Sequence, residues 1–244
     1  MKQVKLTVKE NTALTASVYQ MKLQGDLSAV TSPGQFVNIA LEGLYLRRPI
    51  SVCDVCGDVL TLVYKVVGRG TEQMSKMRGG EVLDELTGLG NGYDLTASGE
   101  HPLLIGGGVG VPPMYLLAKK LREAGKTVSV VLGFNTKNEI FYENEFRALG
   151  CEVNVATADG SYGVKGFVTD ALPADYTYFY TCGPEPMLKA VYTATQTSGA
   201  FSFEERMGCG FGACMGCSCR TVTGFKRICK DGPVLTKEEI LWEH

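Results

Sequence analysis

From residue 1 to about 97, the chain alternates short apolar segments with groups of turn residues. Val, Leu, Tyr and Thr fill the segments, and Gly, Asp, Pro and Asn stand between them. Many short strands at this spacing predict a small antiparallel β-barrel. The predicted strands are Val4–Val8, Ala16–Leu23, Phe36–Ala40, Ile50–Val55 and Leu60–Val67. One helix is predicted at Glu72–Met77, ahead of the break at Arg78-Gly79-Gly80.

After His101-Pro102 the pattern changes to strands that alternate with helices. Such alternation predicts a parallel sheet with helices packed against it. The predicted strands are Leu103–Ile105, Val128–Phe134, Glu152–Thr157 and Tyr178–Cys182, and the predicted helices are Pro113–Ala124, Tyr142–Leu149 and Glu185–Gln196. From about Phe201 the chain is rich in Gly and Cys, and it ends with Leu235–His244. The expected architecture is therefore a barrel, an α/β unit and a small cysteine-rich module.

The bulk composition is that of a globular protein with enough apolar material for real cores. The 244 residues are 45% hydrophobic and 20% charged, with a net charge of −2. Lysines and arginines are scattered among acids, which argues against a nucleic-acid surface. No apolar stretch is long enough to span a bilayer, and the first residues lack a signal-peptide core. Nine cysteines without an export signal predict a cytoplasmic location, where thiols serve metals.

Four cysteines near the C-terminus carry the strongest chemical signal. Cys209, Cys214, Cys217 and Cys229 are spaced C-x4-C-x2-C-x11-C, and the first three match the plant-type [2Fe–2S] pattern. Glycines between them suit a loop that is pulled in around an inorganic core. Structural zinc is the alternative, but zinc sites usually show paired C-x2-C knuckles, and this segment has one. Cys219 is left out of the ligand set, because its side chain can point the other way.

A glycine-rich turn follows the predicted strand Leu103–Ile105 and leads into a helix. This context suits a phosphate, because free N–H groups and the positive end of the helix dipole meet there. Gly107, Gly108 and Gly110 are the candidate nucleotide-binding residues. Val111 replaces the third glycine of G-x-G-x-x-G, so a plain strand–turn–helix is an equal alternative. No arginine cluster closes the second strand, which favours NAD slightly over NADP.

A second turn of this kind ends the strand that precedes the last predicted helix. Cys182, Gly183 and Pro184 lie there and are candidate cofactor contacts. Ligands of open parallel sheets bind at the carboxyl ends of strands, so the two turns are expected to form one crevice. The alternative for Cys182 is that it is only a small residue that fits.

Two barrel segments have the chemistry of an anion site. Arg47-Arg48-Pro49-Ile50-Ser51 combines guanidinium groups, which suit a pyrophosphate, with a hydroxyl that can hydrogen-bond a flavin ring nitrogen. Considered alone, an exposed loop with surface arginines is the simpler interpretation. Val63-Tyr64-Lys65, followed by Gly68-Arg69-Gly70-Thr71, places a glycine-rich turn at a helix start and forms a second candidate.

Acid–base machinery is scarce. The only histidines are His101 and His244, and no Ser/His/Asp or Cys/His pairing is evident. The sequence is that of a protein that moves electrons, and no catalytic residue is predicted.

The order of these motifs resembles the ferredoxin-NADP reductase-like flavoproteins over nearly the whole chain. R-P-I-S, G-x-G-T, the glycine loop and C-G-P-x-P-M follow one another in that order. The cysteine loop, the tail Lys226–Val234 and the stretch Ala158–Asp170 are similar to the electron-transfer subunits of NAD-dependent dihydroorotate dehydrogenases.

The resemblance implies a flavin-binding antiparallel barrel at residues 1–98, an NAD-binding α/β domain at 99–200 and a [2Fe–2S] module at 201–244. It implies FAD between barrel and sheet, with NAD as co-substrate. The implied flavin contacts are Arg48, Pro49, Ile50, Ser51, Val63, Tyr64 and Lys65, with Gly70 and Thr71 at phosphate. The implied cluster ligands are Cys209, Cys214, Cys217 and Cys229.

The implied activity is electron transfer in pyrimidine biosynthesis. Electrons from the FMN of a dihydroorotate dehydrogenase catalytic subunit would pass through the cluster and FAD to NAD⁺, in a heterotetramer of two plus two subunits. Two alternatives remain. One is a flavin/iron–sulfur reductase subunit of another oxidoreductase complex, and the other is a non-catalytic zinc-binding scaffold.

Overall fold

The computed structural model describes residues 1–242 and confirms the predicted combination of barrel, parallel sheet and cysteine module. The barrel strands are β1 (Lys2–Ala13), β2 (Val18–Gln24), β3 (Phe36–Ala40), β4 (Arg48–Cys56), β5 (Val59–Lys65) and β6 (Val82–Leu89). They close an antiparallel barrel in the order β1-β2-β5-β4-β3-β6. A helix, α1 (Arg69–Ser75), contributes Met74 to the barrel core.

Side chains fill the barrel by the alternation expected of strands with one buried face. Leu6, Leu23, Ile39 and Leu62 are fully buried there, one each from β1, β2, β3 and β5. A fully buried aliphatic side chain contributes about 1.5–3 kcal/mol to stability, so this core anchors the strands that carry the candidate site.

The barrel differs from the prediction at two strands. β6 was not predicted, because Asp84 and Glu85 are residue types that are depleted in strands. It forms nevertheless, since pairing with β1 and β3 closes the barrel. The R-P-I-S segment opens strand β4, so the interpretation as an exposed loop is wrong.

The second unit is a seven-stranded sheet with helices. Its strands are β7 (Pro102–Gly107), β8 (Ser129–Phe134), β9 (Glu152–Thr157), β10 (Val164–Lys165), β11 (Tyr178–Cys182), β12 (Gly199–Ser202) and β15 (Val234–Thr236). The helices are α2 (Val111–Glu123), α3 (Glu143–Ala148) and α4 (Glu185–Ala194). The order is β10-β9-β8-β7-β11-β12-β15, parallel except for the last pair.

The C-terminal module is built into this sheet. It contains a hairpin of β13 (Ser218–Thr221) and β14 (Gly224–Arg227), and its strand β15 forms the sheet edge. β12 crosses the expected boundary at residue 200. The division of the chain into three parts at residues 98 and 200 stays a prediction. Residues 243 and 244, the last two of the third part, lie outside the described range.

Polar contacts fix the sheet against the barrel. Lys119 of α2 lies 2.9 Å from the Asp54 carboxylate of β4. The Tyr142 hydroxyl donates to Gln20 of β2 at 2.8 Å. Tyr142 has φ +66°, a strained value for a tyrosine, and its ring is buried at this junction. Within residues 1–242, no helix combines the length and apolar character needed to cross a bilayer.

Candidate functional site

The two Gly/Pro turns lie against each other at the carboxyl ends of β7 and β11. A Cβ placed on Gly110 would overlap the Cys182 carbonyl oxygen and lie 2.6 Å from the Gly183 nitrogen. A Cβ on Gly107 would overlap the Met187 sulfur. The two turns therefore pack directly against each other, and their glycines serve the close approach of two backbones. The single crevice stays a prediction.

Gly108 has φ +52° and no neighbour within 4 Å of its ideal Cβ position, so the glycine turn is open on this side. The turn Gly108–Gly110 leads directly into α2, whose first residues are Val111, Pro112 and Pro113. Proline suits a first helical turn because its missing N–H has no intrahelical partner there. Because Pro112 and Pro113 carry no N–H, backbone donors for an anion at this helix end must come from the glycine turn that precedes them.

Cys182 is half-buried at the end of β11. Burial raises the pKa of the thiol to about 12, with a hydrogen bond to Ser202 opposing and Glu204 adding to the shift. The thiol therefore stays protonated at neutral pH, which suits a packing role better than a nucleophilic one.

Gly110→Ala is expected to weaken nicotinamide-nucleotide binding and to destabilise the fold by about 1–3 kcal/mol, because the added methyl overlaps the Cys182–Gly183 backbone. Thermal unfolding and NADH titration measure the two effects. Gly125→Ala is the control: at φ +79° the alanine strains the backbone and lowers stability too, but it lies away from the turn and is expected to leave NADH affinity unchanged. Equal nucleotide affinity in wild type and Gly110→Ala would contradict the crevice.

The barrel places Arg48 over the start of α1. A Cβ on Gly70 would overlap the Arg48 Nε and lie 3.0 Å from its Cδ, so only glycine lets the arginine lie there. Thr71 accepts hydrogen bonds from the Val67 and Gly68 N–H groups at 2.9 and 3.3 Å. Its hydroxyl is thus occupied in shaping the turn, and the Arg48 guanidinium provides the local positive charge.

The other predicted flavin residues are only partly brought together. Pro49, Ile50 and Ser51 are half-buried on β4, beside Arg48. The Val63 and Tyr64 side chains are buried in two different cores, and Tyr64 donates to Asn11 at 3.0 Å. Lys65 is exposed at the end of β5. Alternation along the strand places Tyr64 on the face opposite to Val63 and Lys65, so the three side chains do not share a single surface.

A cavity of about 1090 Å³ lies between strand β4 of the barrel and the turn that follows β11. Arg48 and Pro49 line one side, and Gly183 and Pro184 line the other. Segment 203–207, just before the cysteine loop, also lines it. Residues that are 134 positions apart in sequence, such as Pro49 and Gly183, thus border one space that is large enough for an aromatic cofactor.

Arg47 departs from the predicted arginine fork. It donates to the Asp84 carbonyl at 3.0 Å and to the Asn38 carbonyl at 3.2 Å, and it pairs with the Asp84 carboxylate. It also lines a second cavity of about 420 Å³ together with Cys209 and Cys214. Both arginines therefore line the larger cavity, and Arg47 alone also lines the cavity beside the cysteine loop.

The cysteine loop directs backbone N–H groups at sulfur atoms. Ala213 and Cys214 donate to the Cys209 sulfur at 3.2 and 3.4 Å, and Gly216 donates to the Cys214 sulfur at 3.5 Å. The Cys229 N–H donates to the Cys217 sulfur at 3.4 Å. N–H groups aimed at sulfur stabilise thiolates, the form in which cysteine binds metal.

The four cysteines form two pairs with different environments. Cys209 lies beside Cys214 at the surface, whereas Cys217 and Cys229 are each 2% exposed. Burial alone would raise the pKa of Cys209, but N–H donors led by those of Cys214 and Phe211 lower it to about 6. Burial is the main cause that raises the pKa of Cys229, and the neighbouring Cys217 raises it further.

This donor set fits a binuclear cluster, in which each iron takes two thiolates. Among residues 1–242, no three or more His, Cys, Asp or Glu side chains lie close enough together to hold one metal ion between them. Arg227 connects the chain around the fourth cysteine, Cys229, to the cysteine loop. It donates to the Gly212 carbonyl at 3.0 Å and pairs with Asp231. Cys219, on β13, lines the larger cavity instead.

Several residues at these sites were not predicted from the sequence. Glu204, Glu205 and Arg206 line the larger cavity, and their position directly before the cysteine loop was an available signal. Asn38 contacts the Cys209 carbonyl across 171 residues, and no local pattern marks it.

Comparison with known proteins agrees with this geometry. Residues 204–241 match the iron–sulfur cluster binding domain of dihydroorotate dehydrogenase B. Residues 104–193 match the oxidoreductase NAD-binding domain.

Full-length relatives share the same name. The dihydroorotate dehydrogenase B (NAD(+)) electron transfer subunit of Geobacillus sp. (strain WCH70) is 43% identical, over 99% of both chains. The subunit of the same name from Fusobacterium nucleatum is 42% identical, over 96% of both chains.

Solved structures share the fold. A structure of NADH-dependent reduced ferredoxin-NADP oxidoreductase, described in terms of flavin-based electron bifurcation, superposes with a TM-score of 0.88. It is 30% identical and covers 97% of this chain and 90% of its own. A ferredoxin NADP⁺ reductase from Neisseria gonorrhoeae with bound FAD and NADP has a TM-score of 0.69 at 16% identity, over 80% of this chain and 90% of its own. The relatives' identity along the whole chain decides the assignment: this protein belongs to the family of the electron transfer subunits of dihydroorotate dehydrogenase B (NAD(+)).

Proposed function

We propose that this chain carries electrons from the FMN of a dihydroorotate dehydrogenase catalytic subunit, through a [2Fe–2S] cluster and FAD, to NAD⁺. The observation that carries the proposal is the large cavity, which is bordered by the Arg48 strand, the Gly183-Pro184 turn and the segment leading into the cysteine loop. One chain thereby holds a thiolate loop, an aromatic-sized space and a nucleotide crevice side by side.

Each site has a defined chemical task. When bound, FAD accepts electrons one at a time and gives them to NAD⁺ in pairs as hydride. Arg48 neutralises phosphate charge at the start of α1, and the Gly107–Gly110 turn binds the nucleotide phosphates through backbone N–H groups. Cys209, Cys214, Cys217 and Cys229 hold the cluster, and their N–H donors favour the thiolate state.

The catalytic subunit is proposed to cover the exposed pair of cysteines. Cys214 is exposed, and large apolar side chains stand exposed near it: Tyr45, Leu46, Phe211 and Met215. Tyr45, Leu46 and Phe211 line the second cavity together with Cys209 and Cys214. An exposed apolar group of this kind marks an interaction surface. A heterotetramer of two plus two subunits in the cytoplasm completes the proposal.

A second candidate function comes from the solved structure at 30% identity, which belongs to a ferredoxin-NADP oxidoreductase. In that case the same reductase module would serve another oxidoreductase complex. Only the electron donor differs between the two candidates, because both use the flavin cavity and the nucleotide crevice. The test must therefore identify the donor.

An anaerobic co-purification tests the proposal. The chain is tagged and co-expressed with the FMN-type dihydroorotate dehydrogenase of its host, and NADH formation is followed after dihydroorotate is added. The expected result is co-purification in equal amounts, with NADH formed only when both subunits are present. NADH-driven dye reduction is the control for an intact flavin site. Dye reduction without dihydroorotate-driven NADH would favour the second candidate, and colourless protein containing zinc would contradict both.

A further inference from the structure

Asn38 is a buried amide between the barrel and the cysteine loop. It lies on β3, where its register partners are Pro49 of β4 and Leu86 of β6. It is only 1% exposed, yet its neighbours Val37 and Ile39 are the residues that fill the barrel core. Because side chains alternate along a strand, Asn38 points out of the barrel.

Its side chain contacts the backbone of the first cysteine of the loop. Nδ2 of Asn38 donates to the Cys209 carbonyl oxygen at 3.3 Å. The next residue, Gly210, has φ +80°, and a Cβ there would overlap the same nitrogen and lie 3.2 Å from Cγ of Asn38. The loop therefore rests directly on Asn38, and glycine is required at its point of closest approach.

Arg47 contacts the Asn38 backbone on the barrel side of this hydrogen bond. It donates to the Asn38 carbonyl at 3.2 Å and lines the second cavity with Cys209. In the described part of the chain, the Oδ1 of Asn38 is buried without a hydrogen-bond partner. A buried, unpaired oxygen costs free energy, so a residue that only filled space here would be apolar. The amide is explained by the bond that it makes to Cys209.

We propose that Asn38 is a positioning residue for electron transfer, which fixes the Cys209 peptide, and through it the exposed cysteine pair, relative to strand β4. The inference rests on the proposed function, since it takes Cys209 as a cluster ligand and β4 as the flavin strand. The register pair Asn38–Pro49 and the Asn38–Cys209 hydrogen bond connect the two sites. Hydrogen bonds to the residues that hold a metal orient the ligands and tune the metal's potential.

The test compares Asn38→Leu with wild type in the complex that co-purifies with the tagged chain. Leucine retains most of the volume and removes the donor. We expect full FAD content and an unchanged rate of flavin reduction by NADH. We also expect an altered electron paramagnetic resonance spectrum of the reduced cluster, a shifted cluster midpoint potential, and a flavin-to-cluster rate that falls about tenfold or more.

Thr87→Val is the matched control, because it removes another fully buried polar group of the barrel, whose hydroxyl donates to the Lys2 carbonyl. The control is expected to keep the wild-type spectrum, potential and rate. If leucine expels the cluster, Asn38→Ala decides, since it removes the donor without adding volume. A wild-type spectrum and transfer rate in the variant that retains the cluster would overturn the inference. Wild-type protein without a [2Fe–2S] signal would instead refute the proposed function, so the two failures are distinguishable.

Discussion

Cys217→Ser is expected to abolish dihydroorotate-driven NADH formation while leaving NADH-driven dye reduction through the flavin. Cys217 is 2% exposed, and its sulfur accepts the Cys229 N–H at 3.4 Å, so it belongs to the buried pair that water does not reach. Serine supplies a much weaker ligand at this position. Replacing a residue that only supports a metal ligand already lowers metal affinity or activity about 10–100-fold. Loss of a ligand itself should therefore reduce the coupled rate at least about a hundredfold.

The measurement is iron and sulfide content, the visible spectrum, and both activities on the same preparation. Cys219→Ser is the matched control, since Cys219 lies in the same module but lines the larger cavity. It is expected to retain cluster and coupled activity. Loss of the cluster in Cys219→Ser, together with its retention in Cys217→Ser, would show that the ligand set is wrong.

Glu85→Gln is expected to stabilise the protein at pH 8 much more than at pH 5. Glu85 is fully buried on β6 beside its register partners Val4 and Ile39, and neither carboxyl oxygen has a hydrogen-bond partner within residues 1–242. Burial raises the pKa of this carboxyl to about 8, with Arg47 opposing and Asp84 adding to the shift. The folded protein therefore holds this proton at neutral pH.

The direction of the stability change follows from the pH at which the folded and the unfolded states each lose the Glu85 proton. Below the ordinary carboxyl pKa of 4.5, Glu85 is protonated in both the folded and the unfolded states. As the pH rises from there to about 8, only the unfolded state releases the proton, so the folded state loses stability across this window. At about 1.4 kcal/mol per pKa unit, the loss amounts to about 3–5 kcal/mol at pH 8. Glutamine has no proton to lose and removes this dependence.

Denaturation midpoints of both proteins between pH 5 and pH 8 measure the effect, with Glu42→Gln, an exposed carboxyl, as the control. FAD and iron contents are measured in parallel, so that a cofactor effect is separated from a folding effect. Parallel pH profiles for wild type and Glu85→Gln would contradict a neutral, buried Glu85.

Local spacing along the chain was enough to predict the parts of this protein whose chemistry depends on residues that are close in sequence. Three thiols on one short loop, and glycines at the ends of β7 and β11, are recognisable because backbone approach and metal ligation limit the residue types allowed at fixed offsets. Strand–helix alternation likewise predicted the parallel sheet. The tertiary structure alone decided that acidic β6 closes the barrel, since pairing with β1 and β3 outweighs its low strand propensity. It also determined which cysteine pair is buried, that Arg47 reaches the cysteine loop, and that Asn38 contacts Cys209. Those outcomes depend on barrel closure and strand register, which bring together residues that no local pattern connects.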